Sequence, residues 1–525
     1  MRNQSSALTR RDFLVSTAAA AILCGLPAVS SLPGSAAYAA ITGFIPDGPF
    51  QRSQVIEAAR KLAQAAYVAP AADLPDALRD LTYDQYRDIR FRPEASIWGN
   101  TDLRFRVQLF HRGFYFKDRV DISLIENGVS KRLIVSPDMF NYGPLVPKLP
   151  SADTGFAGFR LHSPINRPDY FDEVAVFQGA SYFRSLAKDQ NYGLSSRGLA
   201  IKTADADGEE FPIFRAFWIE APSKGINSIV VHALLDSPSV AGAYRFTIRP
   251  GLPTAMDVEA TLFPRVDLKS VGLAPGTTMF FFSGNGRDRV DDYRPEVHDS
   301  DGLLIVNGNG ERLWRPLANP RTLQVSAFID SGPRGFGLTQ RSRSFEVYQD
   351  IEASYEHRPT LWIEPVGDWG KGAVQLVEIP SDSEINDNVV AFWAPRDPIP
   401  AGAEYTFAYH AFWGNDPPFA DNGVIVAETR SGRAHLEGPG PERLFVIDFV
   451  PVNPSQKKGG KPPKPSAVSN AGKITDLTLS ANPATGGWRM SFHLDPGGSK
   501  LIELRSGLTF EDGRPTETWV YRWTA

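Results

Sequence analysis

Carboxylates that stand directly before apolar segments are the residues of this chain best suited to proton transfer. Asp299 lies in a His-Asp-Ser-Asp sequence before the apolar run 303–306, and Asp387 lies in an Asn-Asp-Asn sequence before the apolar, aromatic run 389–393. A desolvated aspartate has a raised pKa and can stay protonated as a general acid. Both sequences also fit polar turns that open strands, and the local sequence alone favours the turns.

Aromatic and basic side chains are concentrated in the same part of the sequence. They are Tyr355, Arg358, Trp362, Trp369 and Trp393. Aromatic rings stack on sugar faces, and paired carboxylic acids carry out the proton transfers of glycoside hydrolysis. Tryptophan in a sheet protein is also a core residue and a single arginine is also a surface residue, so both interpretations stay open for each side chain.

Other chemistries lack their sequence patterns. The chain has no Gly-x-Ser-x-Gly nucleophile elbow, no Gly-x-x-x-x-Gly-Lys phosphate loop and no His-Glu-x-x-His pair. Its eight histidines stand singly, so we expect no metal site and no cofactor. The 55 basic and 60 acidic residues are interspersed and give a net charge of -5, which argues against a nucleic-acid partner.

The N-terminal segment 1–39 has the pattern of a twin-arginine export signal. Paired arginines at 10 and 11 precede a weakly apolar stretch at 15–29, and Ala37-x-Ala39 offers a small-residue cleavage site. The alternative is an ordinary N-terminal helix. The only cysteine, Cys24, lies inside the segment, so the exported chain would contain no disulfide. We therefore expect a periplasmic location.

The remaining sequence predicts an all-β protein with few short helices. Helical spacing of apolar residues occurs at 55–66 and 75–86 only. After about residue 90, short β-branched or aromatic runs are bounded by Gly, Pro, Asn or Asp, as is typical of strands. Asn127-Gly128 and the two Asn-Gly pairs at 307–310 are candidate hairpin turns.

Three prolines and a glycine at 395–402 indicate a boundary between two units. We expect a large β-sandwich domain over 40–395, a linker over 396–402 and a smaller domain over 403–525. The smaller unit shows about seven short strands, the first at 405–412, which is typical of an immunoglobulin-like sandwich.

Several long motifs, taken together and in order, resemble the periplasmic glucans biosynthesis protein G/D family. They lie at 154–160, 179–184, 192–200, 298–301, 358–362 and 387–393. The resemblance runs across nearly all of the chain after the signal, and the twin-arginine signal makes the sequence most similar to the D branch. It implies a large N-terminal galactose-mutarotase-like β-sandwich followed by an immunoglobulin-like domain.

The resemblance also implies an activity. Members similar to the D branch are endo-acting β-1,2-glucan hydrolases that invert the anomeric centre, and the family makes osmoregulated periplasmic glucans. The general acid would be Asp387, the general base Asp299, and Tyr355 would contact substrate. Inverting enzymes hold the two carboxyl groups about 6.5–9.5 Å apart around one water, and a wider gap requires a proton relay. Further residues of the expected glucan-binding site are Asp301, Glu384, Arg358, Trp362 and Trp393.

Two alternatives to hydrolysis remain. The chain could be a non-catalytic glucan-binding scaffold that partners an inner-membrane glucosyltransferase, with the immunoglobulin-like domain as its docking module. A mutarotase-like epimerase would interconvert the anomers of free glucose without cleaving a chain.

Overall fold

A computed structural model describes residues 45–147, 154–419, 423–435, 440–452 and 461–525. The predicted export signal at 1–39 lies outside the described residues. The α-helices of the described part are α1 (Arg52–Gln64), α2 (Asp76–Arg79), α3 (Tyr83–Arg87) and α4 (Phe345–Tyr348), with short 3₁₀ turns at Pro93–Ala95, Pro137–Met139 and Tyr355–His357. Within these ranges, no helix combines the length and apolar character needed to span a membrane.

The first predicted helix is confirmed, and the second is divided. Helix α1 buries Val55, Ala59 and Leu62 against a sheet. The segment 75–86 forms α2 and α3 instead of one helix. Thr82 caps α3 by accepting a hydrogen bond from the backbone N–H of Gln85, and this cap starts a new helix where continuous periodicity predicted none.

Most of the described chain is strand, numbered here in chain order. The first group is β1 (Gly48–Pro49), β2 (Ile89–Phe91), β3 (Arg106–His111), β4 (Asp121–Glu126), β5 (Val129–Arg132), β6 (Phe140–Tyr142), β7 (Phe156–Ser163), β8 (Asp172–Gln178), β9 (Tyr182–Ser185), β10 (Ser195–Arg197) and β11 (Ala200–Ile201). The second group is β12 (Ile213–Glu220), β13 (Ile229–Asp236), β14 (Val240–Arg249), β15 (Thr254–Pro264), β16 (Val271–Thr278), β17 (Phe280–Phe282), β18 (Val297–His298), β19 (Gly302–Val306), β20 (Arg312–Pro316), β21 (Gln324–Ser331) and β22 (Gly335–Thr339). The third group is β23 (Thr360–Val366), β24 (Lys371–Glu378), β25 (Val389–Pro395), β26 (Tyr405–Gly414), β27 (Val424–Arg433), β28 (Arg443–Pro451), β29 (Lys464–Ser469), β30 (Lys473–Asn482), β31 (Gly487–Asp495), β32 (Leu501–Thr509) and β33 (Thr518–Thr524).

Two large sheets pack on each other. One has fifteen strands in the order β1-β5-β4-β12-β13-β14-β15-β26-β23-β22-β19-β20-β33-β32-β29. The other follows β21-β24-β25-β16-β10-β9-β8-β7-β3, with β11 also paired to β16. Pairing is antiparallel except at β4–β12 and β20–β33. Apolar side chains of both sheets, such as Phe177 and Phe246, share one core. The predicted all-β fold class is confirmed.

The predicted hairpin turns also form. Asn127 and Gly128 join β4 to β5 with positive φ angles of 52° and 76°, the conformation that favours Asn-Gly. Residues 307–311 connect β19 to β20.

The boundary between the two units differs from the expected one. Strand β26, which we expected to open the smaller domain, pairs with β15 and β23 in the large sheet. The linker expected at 396–402 is also tied to the large unit, since Ile399 bridges Leu268. A four-stranded sheet, β27-β28-β31-β30, packs on β32 and β33 around a second core. The proline cluster marks a surface connection, and the second core is built by the seven strands β27–β33, of which β33, β32 and β29 also continue the fifteen-stranded sheet beyond β20.

Candidate functional site

Asp299 and Asp387 converge on one short segment at the end of β16. This segment, which we call the anchor segment, comprises Thr278, Met279 and Phe280. Strand β16 lies between β25 and β10 in the sheet. The chain then leaves the sheet and enters β17, whose Phe280 pairs with His298 of β18.

Asp387 is placed by its neighbour Asn388. The Asn388 side-chain oxygen accepts a 2.8 Å hydrogen bond from the Phe280 N–H, and its amide donates to the Ile379 carbonyl at 3.0 Å. The next residue, Val389, pairs with Thr278. Asp387 is thus fixed at the start of β25, beside the anchor segment.

Asp299 is held by the same segment from the other side. Its backbone N–H donates to the Met279 carbonyl at 2.9 Å, and the Ser300 hydroxyl lies 2.9 Å from the Thr278 hydroxyl. The aspartate therefore lies in the turn that connects β18 to β19, and β19 belongs to the fifteen-stranded sheet. The two aspartates, far apart in sequence, are brought together by hydrogen bonds to three consecutive residues.

The electrostatic environment of Asp387 favours a protonated carboxyl group. Burial raises the pKa of Asp387 to about 7, and the negative charge of Asp299 adds to the rise. The guanidinium groups of Arg184, Arg197 and Arg358 act in the opposite direction. One Asp387 carboxylate oxygen, Oδ1, is buried without a hydrogen-bond partner among the described residues.

Asp299 is fully buried and lies against a cation. Its Oδ1 is 3.7 Å from Nε of Arg358, whose side chain is also buried. Arg358 donates hydrogen bonds to the carbonyls of Ala353 and Tyr192 as well. The predicted glucan contact Arg358 is thus at the site, but its guanidinium faces Asp299 and backbone carbonyls.

A second charged group flanks Asp299. His298 lies with Nε2 3.0 Å from Glu296 and 3.6 Å from Asp301, and its Nδ1 is 3.1 Å from the side chain of Gln340. Burial opposes the charged form of this histidine, but Asp301 and Glu296 outweigh it and raise its pKa to about 9. The predicted residue Asp301 therefore helps to hold a protonated imidazole next to Asp299.

Tyr355 and Glu384 are brought together as a pair. The Tyr355 hydroxyl donates to Glu384 at 3.0 Å, and Arg294 donates to the same carboxylate oxygen at 2.8 Å. Gln340 links this pair to the Asp299 turn, because its amide donates to the carbonyls of Tyr355 and His298. Tyr355 is only 2% exposed, so little of its ring is open to solvent.

The structure does not bring Trp362 and Trp393 to the site. Trp393 is fully buried in the core between the two large sheets, and Trp362 is buried in the core shared with the smaller unit. Each therefore follows the core interpretation that the sequence left open. A tryptophan enclosed in this way has no free face for a sugar ring.

Three residues near Asp387 received no role from the sequence: Tyr182, Arg184 and Arg197. All three lie on β9 and β10. Burial raises the pKa of Tyr182 to about 12, and the charge of Asp387 contributes to the rise. A usable signal was present, since Arg184 stands inside a short strand run, where a buried charge needs a partner.

A separate open groove of about 700 Å³ lies away from the aspartates. It is lined from the far end of β25, including Phe392 and Arg396, and from Lys202, Lys269 and Lys371. Asp299 and Asp387 do not line this groove.

Comparison with known proteins agrees with the resemblance. The family model described as "Periplasmic glucan biosynthesis protein, MdoG" matches residues 50–523. Glucans biosynthesis protein G of Vibrio cholerae is 57% identical over 488 residues, covering 92% of this chain and 88% of the relative. Glucans biosynthesis protein G of Shewanella frigidimarina is 57% identical over 478 residues, covering 90% and 85%. These relatives carry the G name, so their names do not support the expected placement in the D branch.

The family match spans the strands that form the site and nearly all of the smaller unit. The matched residues include Asp299, Asp387 and the anchor segment. The chain belongs to the periplasmic glucan biosynthesis protein family.

Proposed function

We propose that this chain acts in periplasmic glucan biosynthesis as an endo-β-1,2-glucanase that inverts the anomeric centre. The observation that carries the proposal is the convergence of Asp387 and Asp299 on the anchor segment. Glycoside hydrolases typically use two carboxyl groups in different environments at one site.

Asp387 is the general acid. A carboxyl group with a pKa of about 7 is still substantially protonated at neutral pH, and one of its oxygens is free of protein hydrogen bonds among the described residues. It donates its proton to the glycosidic oxygen as the bond from that oxygen to the anomeric carbon breaks. Arg184, Arg197 and Arg358 then stabilise the carboxylate that remains.

Asp299 is the general base. Water attacks the anomeric carbon from the face opposite the leaving group, and its proton passes to the Asp299 carboxylate. Because Asp299 is fully buried, the proton reaches it through an intervening hydroxyl or water. The Arg358 guanidinium, whose Nε lies 3.7 Å from Oδ1 of Asp299, offsets the negative charge of the carboxylate that accepts the proton.

The burial of Asp299 also favours the second candidate, a glucan-binding scaffold. An enclosed aspartate paired with arginine is a common structural arrangement, and a scaffold needs no base. In that case the chain would guide glucan beside an inner-membrane glucosyltransferase. The two candidates predict different behaviour when Asp387 is changed.

The test is product release from linear β-1,2-glucan by the wild type and by Asp387→Asn. We expect the wild type to release short oligosaccharides whose new ends are initially of the α configuration, read by NMR at early times. Asp387→Asn should lose about 10²–10⁴-fold in rate while still binding the polymer, because amide nitrogen cannot supply the proton.

Asp397→Asn is the matched control, since Asp397 is exposed and forms an ion pair with its neighbour Arg396. This control should retain full activity. Binding without product release by the wild type would favour the scaffold. Unchanged release by Asp387→Asn would exclude Asp387 as the acid, and interconversion of free glucose anomers without cleavage would indicate an epimerase.

A further inference from the structure

Two histidines and a glutamate meet on the smaller unit, at the edge where β27 ends and β28 begins. His435 follows β27, Glu442 precedes β28, and His493 lies on β31. One potential ligand atom from each of the three lies within 4.8 Å of the others. Nε2 of His435 is 2.8 Å from Oε2 of Glu442, and the two imidazole rings are 5.7 Å apart and nearly perpendicular.

The strand register accounts for this meeting. His493 pairs directly with Leu444 of β28, and Glu442 lies two residues before Leu444, on the same face of the strand. The backbone N–H of Ala434 donates to the Glu442 carbonyl, which places His435 beside the same end of β28. Sequence spacing could not reveal the group, because His493 reaches it through strand pairing.

A fourth residue lies beside one of the imidazoles. The register of β30 against β31 shifts between Thr475 and Thr478, and Asp476 adopts a positive φ of 53° in this bulge. Its Oδ2 lies 3.4 Å from Nδ1 of His493. In metal sites, a carboxylate near one ring nitrogen commonly holds the imidazole in place and leaves the other nitrogen for the metal ion.

We propose that His435, Glu442 and His493 bind a divalent transition metal ion, with zinc as the best fit, and that Asp476 is the positioning residue of this site. Two imidazoles and one carboxylate are a typical zinc ligand set, with water in the fourth position. Ligand atoms about 2.0–2.2 Å from a tetrahedral ion lie about 3.3 Å apart, so small side-chain rotations complete the geometry. Calcium and magnesium prefer sites made of oxygen ligands alone.

A contrasting cluster shows why these residues, and not others, are assigned. Glu296, His298 and Asp301 also lie close enough to hold an ion. There, however, the carboxylates raise the pKa of His298 to about 9, and both ring nitrogens have partners in the fold. A protonated imidazole has no lone pair for a metal. At the proposed site, the three side chains reach the surface, where an ion can enter.

The experiment uses the full chain without a histidine tag, treated with chelator and then titrated with zinc chloride at pH 7.5 by calorimetry. We expect saturable binding of about one equivalent and a higher Tm with zinc, because a ligand that binds only the folded chain stabilises it. Magnesium and calcium chloride should leave Tm unchanged. Cobalt should give the visible absorption of a tetrahedral ion.

His493→Ala and His435→Ala should each weaken zinc binding by more than about 10-fold, and Asp476→Asn should weaken it by about 10-fold. Glu442→Gln is a second ligand variant that keeps the side-chain volume, and circular dichroism checks that each variant folds. The matched control is His410→Ala, since His410 is a half-exposed histidine paired with Asp257 on the large sheet. Absence of saturable zinc binding, or unchanged binding in both histidine variants, would overturn the proposal and leave two surface ion pairs.

Discussion

The turn before β25 and the turn between β18 and β19 each place one aspartate beside the anchor segment. The surroundings of the two aspartates are different. Asp387 is half-buried as a residue, burial of its carboxyl raises the pKa to about 7, and three arginines act on its charge. At Asp299 the carboxyl is fully buried, faces Arg358, and follows a histidine held between two other carboxylates. One turn favours a proton on its aspartate, and the other supplies a cation that favours a carboxylate.

Both residues are aspartates, so their environments, and not the residue type, separate the role of general acid from that of general base. Pairs of carboxyl groups whose surroundings push their protonation apart are the usual basis of acid and base assignment. The anchor segment makes the difference possible, because it fixes both backbones while the side chains face different neighbours. If the two turns differ in this way, substitutions at each of them should have distinct effects on rate, pH dependence and stability.

The largest expected effect is a rescue that differs between the two aspartates. Asp299→Ala should recover activity with azide, because an anionic nucleophile attacks the anomeric carbon without giving up a proton and so needs no base. Asp387→Asn should instead recover activity on aryl glycosides of β-1,2-linked glucose, whose leaving group needs no proton. The measurement is the initial rate with and without each rescue agent, from variants that start about 10²–10⁴-fold below the wild type.

Each variant is the control for the other in this experiment. Azide should not rescue Asp387→Asn on the polymer, and aryl substrates should not rescue Asp299→Ala. Rescue of both variants by the same agent would show that the two turns do not divide the roles of acid and base.

The next effect concerns the shared anchor. Asn388→Ala removes the acceptor for the buried Phe280 N–H and the donor for the partly buried Ile379 carbonyl. We expect kcat to fall about 10-fold or more with little change in KM, since a displaced acid loses proton transfer and keeps sugar binding. Leaving buried polar groups unsatisfied should also cost about 1–3 kcal/mol of unfolding free energy.

Asn386→Ala is the matched control, because Asn386 is exposed two positions earlier in the same turn. It should leave both kcat and stability near the wild-type values. A higher KM with an unchanged kcat in Asn388→Ala would contradict the assignment of Asn388 as a positioning residue.

A smaller effect is expected on the pH profile. Arg184 is the strongest of the three arginines in lowering the pKa of Asp387, so Arg184→Gln should raise that pKa. Activity requires the protonated acid and falls as pH rises through about 7. In Arg184→Gln, this basic limb of kcat should move upward by up to about one pH unit.

Arg184→Lys keeps the positive charge and should leave the limb in place. Rates measured between pH 5 and 9 on the same polymer give both profiles. A limb that moves downward in Arg184→Gln would show that the titrating group is not Asp387.

The sequence predicted the fold class and the two aspartates, but it did not predict the contacts that bring the aspartates together. Strand-rich texture predicted the all-β fold, and polar residues before apolar runs pointed to Asp299 and Asp387. Their meeting depends on the pairing of Phe280 with His298 and of Thr278 with Val389, which are long-range contacts that local patterns do not encode. Trp362 and Trp393 could not be assigned for the same reason, since the face a strand buries depends on the sheet it joins.

Long-range pairing also explains the misplaced boundary. The proline-rich segment at 395–402 has the composition of a linker, but β26 continues beyond it in the large sheet. Proline and glycine content predicts that a segment is a loop, but it does not predict the sheet in which the next strand pairs. The position of Arg184 inside a strand run indicates that its charge needs a partner, but it does not indicate that the partner is Asp387, which lies on another strand pair.

The smallest effect is on stability, and its sign follows from the raised pKa. Asp387 has a pKa of about 7 in the folded chain and near 3.8 when unfolded, so between these values the folded chain binds the additional proton. Stability is therefore lost as pH rises through this window, and above pH 7 the folded chain carries the full cost of an ionised Asp387. Asp387→Asn removes that cost and loses the catalytic proton.

The Tm of Asp387→Asn should thus exceed that of the wild type by roughly 1–3 °C at pH 8, with a smaller or reversed difference at pH 5. Asp397→Asn should show no such growth with pH, since Asp397 is exposed and its neighbour Arg396 lowers its pKa. Thermal melting of both variants across this range is the measurement. A difference that shrinks with rising pH would mean that the fold stabilises an ionised Asp387, and the contrast between the two turns would then disappear.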